Sequence, residues 1–421
     1  MAVRPKKIGM VSLVGAGPGD PGLLTLKAQR LLQRADLVVY DTLANPAHLR
    51  HVRPGVSTVC VGKGFRHHPF SQEKINRLIM KAARSGKNVV RLKGGDPFLF
   101  GRGGEEALYV RDHGIPFQVV PGVTSASACA AYAGVPLTHR EHNSSVTFLT
   151  GHRAHDEDLD TVQWRRIVEI GGTIAIYMGF YNLAKIAKKL IQNGLSPKTP
   201  VSVIQWGTMP RQRSCRGTLL DIDKKVRAAK LGAPCMILVG DVVRLGDKLN
   251  WYEKLPLFGK TIVVTRMREK AGVLREKLEE LGAEVLEFPV IEIKAPKSFA
   301  PMDAAIRDLK KYDWIVFASA YGADAFFGRL RQKFNKDARF LGKIKVACVG
   351  PETARLIERH GVRADLCPSR FESLAIAKEF KRRFGRLEGQ KILFLRAQIA
   401  PREAETDLKK LGARVDRVTA Y

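Results

Sequence analysis

Five short apolar runs in the first 135 residues alternate with stretches of helical periodicity, and this alternation limits the possible folds more than any other feature. The helical stretches are Leu23–Ala35, Gln72–Arg84 and Glu105–Asp112. Strand–helix alternation of this kind predicts a mainly parallel sheet with helices on its faces, which is the α/β class. The apolar runs are Val11–Val14, Leu37–Tyr40, Thr58–Val61, Asn88–Leu92 and Phe117–Val120.

The same pattern restarts twice further along the chain. A second unit begins near Ser145, and its helix Leu183–Gln192 ends at Asn193 and Gly194, a usual helix stop. A third begins with a strand at Thr261–Thr265. We therefore predict a first module at 1–245 with lobes at about 9–142 and 143–245, a linker at 246–258 and a second α/β module at 259–421.

The chain is strongly basic along its whole length. Its formal net charge is +30, of which +18 lies in residues 1–250 and +12 in residues 251–421. Such an excess favours a polyanionic partner, namely nucleic acid, an anionic membrane or a small molecule with several carboxylates or phosphates. Charge alone does not choose among these, and a merely solvated basic surface is the plain alternative.

Cysteine and histidine spacing gives no sign of a disulfide framework or a metal site. The six cysteines form no CxxC pair and the ten histidines no HExxH motif. We expect reduced thiols, a cytoplasmic protein and no metal. Residues 114–138 carry no charged side chain, but Pro116, Pro121 and Pro136 interrupt them. A strand, a loop and a short helix are therefore expected there in place of a membrane span, and no signal peptide is predicted at the N-terminus.

The loops that follow the first strands concentrate residues suited to a ligand site. In open α/β sheets, ligands bind at the carboxyl ends of the strands. Glycines in these loops let the backbone approach a ligand closely. The first loop resembles a dinucleotide fingerprint, and Asp41 could hold a ribose, so a nicotinamide cofactor is one alternative. The loops are Gly15–Pro21, Asp41, Gly62–Gly64, Lys93–Pro97 and Pro121–Ser125.

Long strings in this region resemble the uroporphyrinogen-III C-methyltransferases of the tetrapyrrole methylase family. The resemblance covers about residues 9–245, and its motifs occur in the family's order. Small departures at Gly64 and Phe65 change little. The strings are VGAGPGDPGLLT (14–25), VYD (39–41), VGK (61–63), RLKGGDPFLFGRGGEE (91–106), VPGVTSA (120–126), PLTHR (136–140) and TGH (150–152).

The resemblance implies a two-lobed α/β fold, S-adenosylmethionine in the cleft between the lobes, and a homodimer. It also implies transfer of methyl groups to two ring carbons of uroporphyrinogen III, giving precorrin-2. Asp41 would act as base and Lys63 as acid. The implied cofactor contacts are Pro18, Gly94, Gly95, Asp96, Leu99, Thr124, Ser125, Met178, Gly207 and Ala233.

The chemistry is compatible with these roles. Methyl transfer from a sulfonium depends mainly on positioning, and the methylated pyrrole carbon must then lose a proton to a base. Plain alternatives remain: Asp41 as a turn residue, Lys63 as a solvated charge and Met178 as a core residue. The substrate carries eight carboxylates, for which arginines are natural partners. The candidates are Arg66, Arg102, Arg140 and Arg153, with His67 and His68 beside them.

The third unit resembles the uroporphyrinogen-III synthases over about residues 257–421, with weaker motifs. Ser319 to Gly322 lack the family's usual Asn before Gly. In this family the chain builds a first lobe, then a second, and returns to the first; ending at Tyr421, the module is expected to be partial. The resemblance implies cyclisation of hydroxymethylbilane without a cofactor. The strings are PLFGKTIVVTR (256–266), FASA (317–320), VGPETA (349–354), GV (361–362), LR (395–396) and LGA (411–413), and the implied substrate contacts are Thr265, Arg266, Ser319, Gly350, Thr353 and Tyr421.

Two other function classes are alternatives to this bifunctional tetrapyrrole enzyme. An RNA methyltransferase of the same fold would also suit the net charge, but the sequence lacks an aromatic–basic stripe for stacking bases. A non-catalytic basic scaffold would not need Asp41, Lys63 and the glycine loops. We predict neither a nucleic-acid nor a membrane partner. With no NAD-binding module before Val14, dehydrogenase and iron-insertion steps are not expected, and the product's destination, sirohaem or cobalamin, is not readable.

Overall fold

The structure is a computed structural model that describes residues 8–62, 70–151, 159–368 and 373–421. The chain forms two compact units, and the boundary between them along the chain lies between Pro289 and Val290. The first unit therefore includes the opening strands of the module that we predicted at 259–421. Each unit is described by itself.

The first lobe alternates strands with helices in a five-stranded sheet. Its elements are β1 (Val11–Gly15), α1 (Leu26–Arg34), β2 (Leu37–Tyr40), β3 (Ser57–Cys60), α2 (Gln72–Arg84), β4 (Val89–Lys93), α3 (Gly103–Asp112), β5 (Phe117–Val120) and α4 (Ser125–Tyr132). The strand order is β3-β2-β4-β1-β5, and all four pairs are parallel. Every residue of β1 and β4 is buried, as expected for the centre of a sheet covered on both faces.

The second lobe carries a mixed five-stranded sheet. Its elements are β6 (Val146–Thr150), α5 (Trp164–Ile170), β7 (Thr173–Tyr177), α6 (Leu183–Gln192), β8 (Pro200–Gln205), β9 (Arg213–Thr218), α7 (Ile222–Ala228), β10 (Cys235–Val239) and α8 (Gly246–Leu249). The order is β6-β7-β10-β8-β9, with β6 and β7 parallel and the other pairs antiparallel.

The end of the first unit is a small parallel pair of strands with one helix. Its elements are β11 (Thr261–Val264), α9 (Arg268–Glu280) and β12 (Glu284–Glu287). Several apolar side chains of this segment are more than half exposed, including Val263, Leu286 and Phe288. A two-stranded sheet buries little apolar surface by itself, which explains this exposure.

The second unit is a four-stranded parallel sheet with helices on both faces. Its elements are α10 (Ala300–Arg307), β13 (Trp314–Phe317), α11 (Ala320–Phe334), β14 (Lys345–Cys348), α12 (Pro351–Arg359), α13 (Ser373–Phe384), β15 (Lys391–Arg396), α14 (Glu403–Lys410) and β16 (Arg414–Thr419). The order is β14-β13-β15-β16. Two apolar clusters form its core, one around Phe317 and Phe326 and the other around Trp314 and Phe380.

The α/β class and the two-lobed first module are confirmed, although the sequence did not indicate every element. We did not predict α11, because two glycines and an aspartate interrupt its apolar pattern. Strand β9 was also not predicted, because it is an edge strand without buried residues and so has no apolar alternation.

The uncharged stretch 114–138 contains β5, a loop and α4, as predicted. Among the described residues, no helix has the length and apolar character needed to cross a bilayer.

Three loops at the carboxyl ends of β1, β4 and β5 meet backbone to backbone at a glycine junction, Gly15, Gly95 and Gly122. A Cβ added to Gly15 would lie 2.5 Å from the Gly122 Cα, and one added to Gly122 would lie 2.3 Å from the Gly95 carbonyl oxygen. Gly17 and Gly95 exchange two backbone hydrogen bonds, of 3.2 and 2.7 Å. A side chain therefore fits at neither Gly15 nor Gly122. At Gly95 a Cβ would have room, and it is the left-handed backbone, with φ of 66°, that favours glycine.

We expect the substitution Gly122→Ala to destabilise the first unit by about 2–3 kcal/mol, because the new methyl group would overlap backbone atoms that cannot rotate away. The matched control is Gly104→Ala in α3, where the added Cβ meets no atom within 4 Å. That control should be neutral or stabilise by up to about 1 kcal/mol. Calorimetric unfolding of both variants checks this, and equal stability of the two would contradict the role of the junction.

Candidate functional site

A cavity of about 610 Å³ opens beside the glycine junction, between the two lobes of the first unit. One wall is formed by the loops after β1, β4 and β5, which contribute Pro18, Gly95 and Thr124 among others. The opposite wall comes from the second lobe, with residues at the ends of β7 and β8 and the start of β10. The cavity therefore lies where ligands bind in parallel α/β sheets, at the carboxyl ends of the strands.

All ten residues that the sequence analysis proposed as cofactor contacts line this one cavity. They come from six separate loops. Met178 is half exposed at the cavity, so it is not the core residue that the alternative interpretation supposed. The ten are Pro18, Gly94, Gly95, Asp96, Leu99, Thr124, Ser125, Met178, Gly207 and Ala233.

Asp96 holds two of the cavity loops together. Its Oδ1 accepts a hydrogen bond from the backbone N–H of Phe98 at 2.8 Å, within its own loop. Its Oδ2 accepts one from the N–H of Gly122 at 3.0 Å, in the loop after β5. Since both oxygens bind backbone donors, this carboxylate fixes the shape of the cavity wall as well as lining it.

Tyr177 connects the second lobe to the first across the cavity. Its hydroxyl lies 2.5 Å from the Thr124 Oγ1 and accepts a hydrogen bond of 3.2 Å from the N–H of Ala126, in the first turn of α4. Burial raises the pKa of the Tyr177 hydroxyl, so it stays protonated at neutral pH. The ring centroid of Phe100 lies 5.0 Å from that of Tyr177. The hydrogen bonds of Tyr177 therefore hold the two lobes together at the cavity.

Three residues on the cavity wall have a left-handed backbone although they are not glycine. They are Phe100, Met178 and Trp206, with φ angles of 53°, 53° and 49°. Such conformations are strained and concentrate at functional sites. They turn three large side chains toward one space. The Arg211 guanidinium lies 3.9 Å from the centre of the Trp206 ring, which adds a positive charge at the same wall.

Asp41, the proposed base, ends β2 next to a buried group of charges. Its Oδ1 accepts a hydrogen bond of 2.6 Å from Arg91 Nη2, and its Oδ2 lies 3.9 Å from Lys93 Nζ. Arg91 Nε and Lys93 Nζ both lie 3.1 Å from Oε1 of Glu106 in α3. Asp41 is 29% exposed while the other three are almost fully buried. The group thus contains two cations and two carboxylates, of which only Asp41 reaches solvent.

The charges in this group depend on each other. Burial and the neighbouring Arg91 lower the pKa of Lys93, while Glu106 and Asp41 oppose that shift. Gln72 donates a further hydrogen bond of 3.0 Å to the Glu106 Oε1, so three donors converge on one oxygen. An uncompensated charge at this depth would cost several kcal/mol. The hydrogen bond from Arg91 fixes one of the two oxygens of the Asp41 carboxylate.

With this geometry established, comparison with known proteins identifies the family. Residues 10–223 match the family model of the tetrapyrrole (corrin/porphyrin) methylases. The chain belongs to the tetrapyrrole methylase family. Residues 272–421 match the model of uroporphyrinogen-III synthase HemD, so the tetrapyrrole methylase module is fused to a synthase module. Both resemblances found in the sequence are thereby confirmed.

Individual relatives agree with this division. The porphyrin biosynthesis protein HemD of Ruminiclostridium josui is 38% identical over 413 residues, covering 98% of this chain and 81% of the relative. The uroporphyrinogen-III C-methyltransferase of Bacillus subtilis (strain 168) is 38% identical over 356 residues, 84% of this chain and 72% of that protein. The structure of the cobalt precorrin-4 methyltransferase CbiF aligns with a TM-score of 0.50 at 31% identity, over 56% of this chain and 95% of CbiF. The comparisons do not support the RNA methyltransferase alternative.

The structure describes only two of the proposed basic contacts of the methylase module, Arg102 and Arg140. Lys63, Arg66 and Arg153 lie outside the described residues, as do His67 and His68. Arg102 caps the start of α3, is exposed and pairs with Glu105 at 2.6 Å. Arg140 is exposed in the loop before β6. Neither Arg102 nor Arg140 is among the cavity-lining residues.

Four of the six residues proposed for the synthase module lie at one edge of the second unit. Ser319 caps α11 after β13, and Gly350 caps α12 after β14, so both sit at the carboxyl edge of the parallel sheet. Thr353 is buried in the first turn of α12. Tyr421 follows β16 at the same edge, where its ring lies 5.8 Å from that of Tyr321. The other two, Thr265 and Arg266, follow β11 in the first unit and are exposed.

Several cavity residues were missed by the sequence analysis. Trp206 directly follows β8, and Asn45 belongs to the loop after β2. The strand-end argument, applied to more of each loop, could have found both. Tyr177 gave no such signal, because a tyrosine at the end of an apolar run is equally typical of a core.

We expect Glu106→Gln to lower the free energy of unfolding by about 3 kcal/mol, because it leaves Arg91 and Lys93 with one compensating charge instead of two. The control is Glu105→Gln, one residue away, whose carboxylate is more than half exposed and pairs with an exposed arginine. That change should stay within about 0.5 kcal/mol. Thermal unfolding of both variants measures the difference, and similar values would show that the buried group carries no net dependence on Glu106.

Proposed function

We propose that the first module transfers methyl groups from S-adenosylmethionine to two ring carbons of uroporphyrinogen III, giving precorrin-2. The observation that carries the proposal is the convergence on one cavity of all ten positions implied by the family resemblance. Asp41 directly follows a strand of the sheet whose loops form one wall of that cavity. Family membership and the C-methyltransferase relative support the reaction type.

The residues that line the cavity fit S-adenosylmethionine. A volume of about 610 Å³ is within the range of small-molecule sites, and the lining is mostly apolar. Apolar residues such as Ile204 and Met236 suit the adenine, and the rings of Tyr177 and Trp206 suit a sulfonium cation. Arg211 offers a partner for a carboxylate. When bound there, the cofactor supplies an electrophilic methyl group.

The chain's own part is positioning and proton removal. The loops fixed by the glycine junction and by Asp96 hold the donor in one place, which is the main requirement of an in-line displacement. Asp41 accepts the proton that the methylated ring carbon loses. Its Oδ1 is occupied by Arg91, whereas Oδ2 lies beyond hydrogen-bond distance from Lys93 and can receive that proton.

The charge of the chain suits the acceptor. A macrocycle with eight carboxylates is attracted by a protein with a net charge of +30. Arg66, Arg102, Arg140 and Arg153 remain our candidates for pairing with these carboxylates, and Lys63 for the acid. Their role is to draw the macrocycle to the cleft and orient it.

Incubation of the purified chain with uroporphyrinogen III and methyl-labelled S-adenosylmethionine tests the proposal. We expect a tetrapyrrole product that carries two labelled methyl groups, identified by mass spectrometry. Replacing Asp41 by Asn should lower kcat by about 100-fold or more, the usual contribution of a general base, and leave KM for S-adenosylmethionine within a few-fold. The exposed Asp112→Asn serves as control. An unlabelled tetrapyrrole would overturn the methylase proposal, whereas full activity of Asp41→Asn would overturn the assignment of the base.

We further propose that the synthase module converts hydroxymethylbilane to uroporphyrinogen III, which is the substrate of the first module. The proposed contacts for the acetate and propionate groups of hydroxymethylbilane are the six residues implied by the family resemblance. They are Ser319, Gly350, Thr353 and Tyr421 at one strand-end edge, and Thr265 and Arg266 after β11. The match of residues 272–421 to uroporphyrinogen-III synthase supports this reaction.

For the synthase module we expect the native chain to convert hydroxymethylbilane to the III isomer. The competing spontaneous reaction gives the symmetric I isomer, so chromatographic separation of the two isomers reads out the activity directly. If the ratio of the two isomers is the same with the chain as without protein, the chain has no synthase activity. This outcome would leave the methylase proposal untouched.

Assembly and location extend the same proposal. By the family resemblance we propose a homodimer formed through the methylase module. Six cysteines without a disulfide spacing support a reducing, cytoplasmic location. Light scattering combined with chromatography measures the mass of the assembly.

A further inference from the structure

The stretch that we predicted as a linker contains a segment packed against the cavity wall. We call residues 250–254 the strap. Its tyrosine, Tyr252, is almost fully buried, and Trp251 Nε1 donates a hydrogen bond of 3.1 Å to the carbonyl of Ala131 in α4. The strap lies outside residues 10–223, the part that matches the methylase family model.

Tyr252 supports the loop that follows β8. Its hydroxyl donates a hydrogen bond of 3.1 Å to the carbonyl of Thr208, at a buried position. Thr208 itself has a left-handed backbone, with φ of 69°. The Tyr252 ring also packs edge-on against Tyr132, at 4.6 Å between centroids. The Tyr132 hydroxyl in turn donates to Asp20 of the glycine loop after β1 at 2.5 Å.

Glu253 supports the other end of the same loop. Its Oε1 accepts hydrogen bonds from Gln212 Nε2 at 3.0 Å and from Ser214 Oγ at 2.6 Å. The Gln212 Oε1 accepts the backbone N–H of Thr208 at 2.8 Å. Asn250, also in the strap, donates to Glu253 Oε2 at 3.0 Å. The strap therefore holds the loop 206–212 at two points, one through each of its two central side chains.

The loop 206–212 is part of the cavity itself. Trp206, Gly207, Met209 and Arg211 all line it. The Thr208 Oγ1 accepts a hydrogen bond of 3.0 Å from the N–H of Asp20, which joins this loop to the glycine loop on the opposite wall. A shift of the loop would displace side chains from both lobes.

The strap also continues into the opening segment of the synthase module. Tyr252 packs against Phe258 at 5.3 Å between ring centroids. The backbone N–H of Leu257 donates to the carbonyl of Leu281, just after α9, at 2.9 Å. The same segment therefore contacts the cavity loop at one end and the β11–α9–β12 element at the other.

We infer that Tyr252 and Glu253 are positioning residues for the S-adenosylmethionine site, supplied by the segment that joins the two modules. This inference rests on the proposed function of the cavity. Neither residue lines the cavity; both act through Thr208 and Gln212. The methyltransferase site is thus built from the methylase module together with the junction to the synthase module.

The test measures binding of S-adenosylhomocysteine to the full chain by calorimetry. Tyr252→Phe removes one hydroxyl, and we expect the affinity to fall about 3- to 10-fold, the usual effect of one hydrogen bond. Glu253→Ala removes a carboxylate that accepts hydrogen bonds from three donors, so a fall of about tenfold or more is expected. In both variants KM for S-adenosylmethionine should rise more than kcat falls, with KM for uroporphyrinogen III unchanged.

Two matched controls separate positioning from general damage. Tyr312→Phe removes a tyrosine hydroxyl that bonds Asp416 in the second unit, and Lys254→Ala changes an exposed neighbour in the strap. Both should bind S-adenosylhomocysteine as the native chain does. Native affinity in Tyr252→Phe and in Glu253→Ala would overturn the inference and leave the proposed function standing. A native chain that binds no S-adenosylhomocysteine would overturn both.

Discussion

The contact of three glycine backbones at the ends of β1, β4 and β5 is the constraint on which the cavity depends. Parallel strands bring their carboxyl ends to one edge, but side chains normally keep the following loops apart. At Gly15, Gly95 and Gly122 no Cβ separates them. The three loops can therefore lie close together at the edge of the cavity. In the second lobe, Gly207 makes room for a side chain of α4, because a Cβ on Gly207 would lie 2.2 Å from the Cys129 Sγ.

The buried charges beneath Asp41 follow from the same sheet. Arg91 and Lys93 alternate on β4 and therefore point to the same face, where an apolar residue would be the usual choice. Desolvating them is costly, and Glu106 offsets the cost from α3. The consequence is local: a carboxylate at the neighbouring strand end has one oxygen fixed by a guanidinium and the other directed elsewhere. The side chain that orients Asp41 is thus an arginine that burial and Glu106 hold in place.

Local patterns predicted much of this fold. The bounds of β2, α2, β5 and α6 agree with the predicted runs, because each carries a strong apolar period with clear stops. The cavity residues followed from the loops after the strands and from long family motifs. The features that could not be predicted depend on contacts between distant segments. Helix α11 is buried by the four-stranded sheet of the second unit despite its glycines. Tyr177 acts through α4, about 50 positions earlier in the chain.

The left-handed residues on the wall show why support from distant segments is needed. A non-glycine residue in that conformation costs roughly 1–2 kcal/mol, and glycine would remove the cost. Glycine would also remove the side chains of Phe100, Met178 and Trp206, which form the wall. The strain must therefore be offset by neighbours, as it is at Thr208, whose N–H, Oγ1 and carbonyl all have partners. One of these partners is Tyr252, so the junction between the modules contributes to the strained wall of the methylase cavity.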